Sequence, residues 1–452
     1  MTIMKYNEFK MCVKNSAKKY EIEQYELYYS RGASTTFAAY KGEIDKTTSS
    51  DGDGACFRCI VNGRMGYAST ELFSEQEADR IVSDAKKCAE ILESEDKEFL
   101  FEGSKEYPTL PENNPAPMPA ESMMQEAIEL EKKCYAVDSR IKSVSHSTVF
   151  QAFSEIGISN SYGLDLYSST PLFCAYTQAT AEENDDVQVG FSASFSNNPE
   201  KLSVDFVVEE STKQALSALG AESIPTGKYK TVISNMQMAA LLETFSDVFS
   251  ADAAQKGMSL LAGKEGEKIA SDIVTIVDDP FCEESCCMSA FDAEGVAATR
   301  KNVVENGVFS TLLHNLKTAD KAGVKTTGNA YKASYKSKVS ISPFAFYVKP
   351  SDISFDEVID RTQNGVYITE LNGMHAGANF VTGDFSLSAS GFLIEDGKLT
   401  KPIKEITVAG NFFSMLKQIE CVGNDFRFSI PSGSSQFGSP CVCVGTMAIS
   451  GK

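Results

Sequence analysis

Residues 365–426 read GVYITELNGMHAGANFVTGDFSLSASGFLIEDGKLTKPIKEITVAGNFFSMLKQIECVGNDF, and this stretch decides the fold. Asp396-Gly397 lies between the alternating run Gly391 to Glu395 and the run Lys398 to Ile403. A two-residue Asp-Gly loop favours the type I′ turn, whose twist matches that of paired strands, so a β-hairpin is predicted. Beyond it, residues 405–409 predict a strand and Gly410 is expected to break it. Asn411 then stands where it can cap a short helix with Phe412, Met415, Leu416 and Ile419 on one apolar side. A strand is therefore expected to lead directly into a helix.

The bulk numbers set the frame around this stretch. A chain of 452 residues is too long for one ordinary core, and two or three domains are expected. Lysine and arginine number 42 against 62 aspartates and glutamates, a formal charge of −20. Such a field repels nucleic acid, so direct DNA binding is disfavoured. The first residues are interrupted by charge every few positions and hold no apolar core of signal-peptide length. No segment approaches the roughly 18 apolar residues of a membrane span, and a soluble cytoplasmic protein is expected. The twelve cysteines fall mostly inside apolar runs, which suits reduced core residues better than a disulfide framework.

Working from the start of the chain, residues 1–110 predict a small α/β unit. Glu8 to Tyr20 suits a helix, and Tyr25 to Ser30 with Ala33 to Tyr40 suggests a hairpin about Arg31-Gly32. A second hairpin is predicted at Asn62-Gly63. Ser74 to Glu77 forms a capping-box pattern ahead of a helical face that includes Ala78, Ile81, Val82 and Ala85. Five prolines between Phe101 and Pro119 deny ladder hydrogen bonds and mark a linker. A second α/β unit is expected over 120–223, with a helix at Ala120 to Val137, strands at Ser143 to Ile158 and Leu164 to Ala181, and a helix ending near Gly220. The acidic run Glu182 to Asp186 is expected to be a solvated face. Residues 225–452 predict a β-rich C-terminal domain, opened by the strand Thr226 to Ser234 and a helix carrying Met238, Leu241, Leu242 and Phe245 at helical spacing.

The order of these pieces resembles the TldD/PmbA family, the so-called modulators of DNA gyrase. The resemblance rests on Gly383-Asp-Phe-Ser386, Ala389-Ser-Gly391, Ala409-Gly-Asn411 and Gly423-Asn-Asp425. It extends to Thr275 to Pro280, Phe291-Asp-Ala-Glu-Gly295, Val303 to Val308 and Thr327-Gly-Asn-Ala330, and in the N-terminal half to Ala55 to Thr70. It implies an α+β protein with two N-terminal α/β units and a β-rich C-terminal domain of TldD/PmbA type. In TldD-type chains of the family, the helix opening the C-terminal domain carries His-Glu-x-x-x-His, and a cysteine in the last glycine-rich loop completes a zinc site.

The matching helix here, Met238 to Asp247, contains no histidine, and the last loop, Phe428 to Gly438, contains no cysteine. The chain is thus similar to the PmbA, or TldE, type. The resemblance implies that it binds no cofactor itself, with zinc on a TldD-type partner.

Glu243 and His375 are the weak catalytic candidates. Glu243 is a lone carboxylate, more often a solvated or capping residue than a catalytic base, and His375 lies in the glycine-rich loop Asn372 to Gly377, where it can simply face solvent. His146, His314 and His375 are the only histidines and lie in different segments. Cys56 and Cys59 have the spacing of a zinc or redox motif, but strand alternation sends them to opposite faces. Cys282, Cys286 and Cys287 lack a second ligand pair at zinc-finger spacing.

Three functions follow as expectations. The first is the non-metal-binding subunit of a TldD/TldE-like metallopeptidase, dimeric with a TldD-type chain or with itself, which shapes a chamber for unfolded or small peptides. The second is an autonomous metallopeptidase using Glu243, His375 and Cys441. The third is a non-catalytic modulator of DNA gyrase acting through protein contacts.

Overall fold

The computed structural model describes residues 4–93, 97–111 and 113–452. The N-terminal half runs α1 (Tyr6–Lys19), β1 (Gln24–Tyr40), β2 (Glu43–Val61), β3 (Arg64–Thr70) and α2 (Glu75–Ile91). It continues as α3 (Ala120–Val137), β4 (Ile141–Asn160), β5 (Asp165–Glu183), β6 (Asp186–Ser196) and α4 (Val204–Ser217). The six strands form one antiparallel sheet in the order β3-β2-β1-β4-β5-β6. Glu26 to Ala39 of β1 pairs with Ser147 to Asn160 of β4, so residues on either side of the proline-rich segment share a single sheet. That segment holds no regular element among its described residues, but it is pinned. Asn160 Nδ2 donates to the Phe101 carbonyl at 2.6 Å and the Tyr107 hydroxyl to the Gly295 carbonyl at 2.7 Å.

One local expectation in this half is corrected. Arg31-Gly32 makes no turn, because the Arg31 guanidinium bonds Asp51 and Glu155 on the two flanking strands. Gly32 pairs with Gly52 on one side and Ser154 on the other, and β1 stays extended. The acidic run at 182–186 is solvated as its charge predicts, Glu182 to Asp185 being exposed, and it forms the tight hairpin between β5 and β6, with Asn184 and Asp185 both left-handed at φ 49° and 66°. The Asn62-Gly63 turn forms as its sequence predicts, at φ 53° and 75°.

Alternation along these long strands decides what each face meets. Leu27, Tyr29, Phe57 and Cys59 pack beneath α1 and α2, and Phe37, Ala39, Val149 and Ala175 beneath α3. The opposite face, with Tyr28, Cys56 and Ile158, lies against Phe291, Ala293, Ala330 and Tyr335 of the C-terminal half. Cys56 and Cys59 thus fall on opposite faces.

The C-terminal half opens with β7 (Gly227–Ile233) and α5 (Asn235–Thr244). β7 lies centrally in a six-stranded sheet, parallel to the strand Gly365–Asn372 and antiparallel to Val442–Ser450. The hairpin Asp384–Glu395 and Lys398–Asn411 extends that sheet, turning at Asp396 and Gly397 with φ 49° and 70°. Gly410 does not break its strand. It lies opposite Phe385, and a side chain there would meet Phe385 and Met447 at 3.0 Å. Asn411 then caps the helix Phe412–Lys417, its Oδ1 accepting from Ser414 N at 3.1 Å. A second, smaller sheet ends in the strands Gln436–Ser439 and Arg427–Phe428. α5 packs between the two sheets, and Phe245 below it stacks on Phe412 at 4.7 Å.

Candidate functional site

Ser234 caps α5 by accepting from Gln237 N, which fixes the rotation of the helix. Met238, Leu241, Leu242 and Phe245 are then fully buried, leaving Glu243 half-buried on the remaining side. There its carboxylate faces Ser432 of the last glycine-rich loop. Burial raises the Glu243 carboxyl above its ordinary range and Ser432 partly offsets this. Thr244 Oγ1 meets Met374 Sδ at 3.0 Å, which seats the short helix Met374–Gly377 at the C-terminal end of α5 with His375 exposed. The fold therefore brings α5, the last loop and the glycine-rich loop of His375 to one place.

The other candidates lie elsewhere. Cys441 is fully buried with Val232, Val358, Cys421 and Cys443, a cluster separate from the one that holds Met238 and Phe245. Burial, with Asp425 beside it, pushes its thiol up. His314 is buried ahead of the helix Leu316–Ala322 and its imidazole is shifted down by burial, while His146 lies exposed on β4. Among the described residues, no three of histidine, cysteine, aspartate and glutamate are grouped so as to hold a metal ion. On α5 and the last loop themselves the donors are one carboxylate and hydroxyls, and the adjoining helix Met374–Gly377 adds a thioether and the imidazole of His375, which is exposed. Zinc takes imidazole, thiolate and carboxylate ligands in a converging set, and these residues do not fit it.

A groove of about 300 Å³ leads away from this place. One wall is Phe426, Phe428 and Ile430, which run into the last loop; the other is Phe191 and Phe195 of β6. Met236 of α5 joins the lining. A larger cavity, about 680 Å³ beside α1, is lined by Arg31 paired with Glu155 and by Lys10 paired with Asp165, together with Lys5 and with Asp53, whose carboxylate accepts from the Tyr29 hydroxyl at 3.4 Å.

Charge is also buried where the two halves meet, and periodicity gave no sign of it. Arg58 Nε bonds Glu26 Oε1 at 2.8 Å with both side chains at most 5% exposed. Asp292 Oδ1 accepts from the backbone of Glu294 and Val296, and Oδ2 from that of Ala330. Glu294 Oε2 accepts from Leu316 N. Asp278 is bound by Lys301 and by Asn329 Nδ2 at 2.9 and 2.7 Å. Those bonds brace Phe291 to Gly295 and Thr327 to Ala330, the loops whose Phe291, Ala293 and Ala330 meet the N-terminal sheet. Apart from the family resemblance, their sequence signal is carboxylate and amide residues crowded into otherwise apolar turns.

Known proteins place this architecture. The chain matches the PmbA/TldA metallopeptidase family throughout: its domain 1 over residues 25–89, its central domain over 113–219 and its C-terminal domain over 226–451. A metalloprotease of Methanocaldococcus jannaschii is 27% identical over 424 residues, 91% of this chain and 92% of that relative. Metalloprotease PmbA of Escherichia coli O157:H7 is 26% identical over 420 residues, 90% of each. A solved protein of Thermotoga maritima, described as a modulator of a DNA gyrase, is 30% identical with a TM-score of 0.89, covering 99% of this chain and 100% of that one. TldE from Thermococcus kodakarensis has a TM-score of 0.86 over 98% of this chain and 99% of its own, and at 21% identity it shows likeness of fold alone. From the nucleus around α5 to the shared N-terminal sheet, the chain belongs to the PmbA/TldD metallopeptidase family.

Proposed function

We propose that this chain is the non-metal-binding subunit of a TldD/TldE-like metallopeptidase that degrades unfolded or small peptides. Zinc and bond cleavage would then lie on a TldD-type partner. The observation that carries this reading is the meeting of α5 with the last loop through Glu243 and Ser432, with neither an imidazole nor a thiolate on either segment. A metal-bound water needs several such ligands to lower its pKa, and one carboxylate does not supply them. The groove running from β6 to the last loop supports a role in holding peptide. The formal charge of −20 argues against nucleic acid as a direct partner.

The test is reconstitution. The purified chain alone is expected to hold far less than one equivalent of zinc by elemental analysis and to cleave no peptide. With a TldD-type chain it is expected to form a complex at micromolar concentration that degrades unfolded peptides. Stoichiometric zinc on the chain alone, lost on replacing Glu243, His375 or Cys441, would establish an autonomous peptidase instead. Capture of gyrase without any TldD-type complex would establish the modulator reading.

A further inference from the structure

We propose that the groove between β6 and residues 426–430 binds an extended, basic peptide as an added strand, a step that rests on the peptide-handling reading above. β6 is the last strand of the N-terminal sheet and, among the described residues, pairs with β5 alone. Phe191 N points away from β5, since it donates to Gln214 Oε1 at 3.2 Å. Antiparallel pairing alternates, so the amides and carbonyls of Ala193 and Phe195 point to the same open side. Among the described residues no partner meets them. The facing strand Arg427–Phe428 is likewise terminal in its own sheet. Two open strand edges thus flank a trough with aromatic walls, where main-chain pairing provides affinity and alternate side chains meet Phe191, Phe195 and Phe428.

Charge selects the occupant. The one cation on the lining, Arg427, is taken by Glu210 at 3.2 Å and lies over the Phe206 ring at 4.4 Å. Glu284 on the rim and its neighbour Glu283 are exposed and, among the described residues, in no ion pair. Uncompensated carboxylates beside aromatic walls favour a strand that alternates lysine or arginine with aromatic or branched apolar residues. Acidic peptides are repelled.

The experiment uses the full chain without a partner and three fluorescein-labelled decapeptides, read by anisotropy at two salt concentrations. One alternates lysine with phenylalanine, one alternates glutamate with phenylalanine, and the third is the lysine peptide N-methylated along one edge. The lysine peptide is expected to bind at least about tenfold more tightly than either of the others, a difference of about 1.4 kcal/mol. Glu284→Lys, on an exposed loop, is expected to erase or reverse the preference for lysine. Ala193→Pro, whose amide is outside the β5 ladder, is expected to weaken all strand-like binding. Equal binding of the lysine and glutamate peptides, or wild-type binding by Ala193→Pro, overturns the proposal. So does a dimer that Ala193→Pro dissociates, because the groove would then belong to a second copy. Binding is read on the chain alone, so its failure leaves partner-dependent cleavage standing. Loss of cleavage with binding intact instead refutes the assembly.

Discussion

Replacing Arg58 by methionine removes the cation from a pair whose carboxylate, Glu26, is 1% exposed and has one oxygen already without a partner. Breaking a buried pair from one side costs roughly 3–5 kcal/mol. Replacing Glu26 as well, to give Glu26→Met/Arg58→Met, leaves no charge to strand and is expected to recover to within about 1 kcal/mol of wild type. Urea unfolding of the two variants beside wild type gives the energies. Hydrogen exchange at Tyr28 and Ala293 shows whether the opening starts where the two halves meet. A loss below about 1 kcal/mol, or a double variant as weak as the single one, would each refute this account of the pair.

Further outcomes follow from the same interior. Burial, with Asp292 adjacent, raises the Glu294 carboxyl, so the folded chain keeps a proton that the unfolded chain releases. The stability from this group is present at low pH and lost as pH rises through the interval up to the folded value. Burial lowers Lys332 to about 8, so its contribution is lost as pH falls from the ordinary lysine range toward 8. In urea midpoints from pH 5 to 10, Glu294→Gln is therefore expected to lose less stability than wild type as pH rises toward 8, and Lys332→Met to lack the gain that the lysine contributes above pH 8. Asn411→Ala removes the cap on Ser414 N together with bonds to Thr382 and Asp384, and is expected to cost about 1–2 kcal/mol in chemical denaturation. Gly391→Val places Cβ 1.9 Å from the Tyr367 carbonyl, where no rotation relieves the clash. Expression of this variant is expected to yield no cooperative unfolding transition.

What the sequence alone determined was local. Asp396-Gly397, Asn62-Gly63, Ser74 and Ser234 each specify a turn or a cap through atoms within four residues of themselves, and the structure places each where those atoms require. The helical face of Met238 to Phe245 was legible for the same reason, and so was the absence of histidine from it. What only the tertiary structure decided was pairing between distant strands. β1 and β4 join across more than a hundred residues, Arg31 stays extended because its carboxylate partners lie on the strands to either side, and β6 becomes an open edge facing Phe428. The buried charges followed the same rule. Glu26, Arg58, Glu294 and Lys332 each look like surface residues in their own segments, and only closure of the two halves takes them out of water and shifts the ionisation of Glu294 and Lys332.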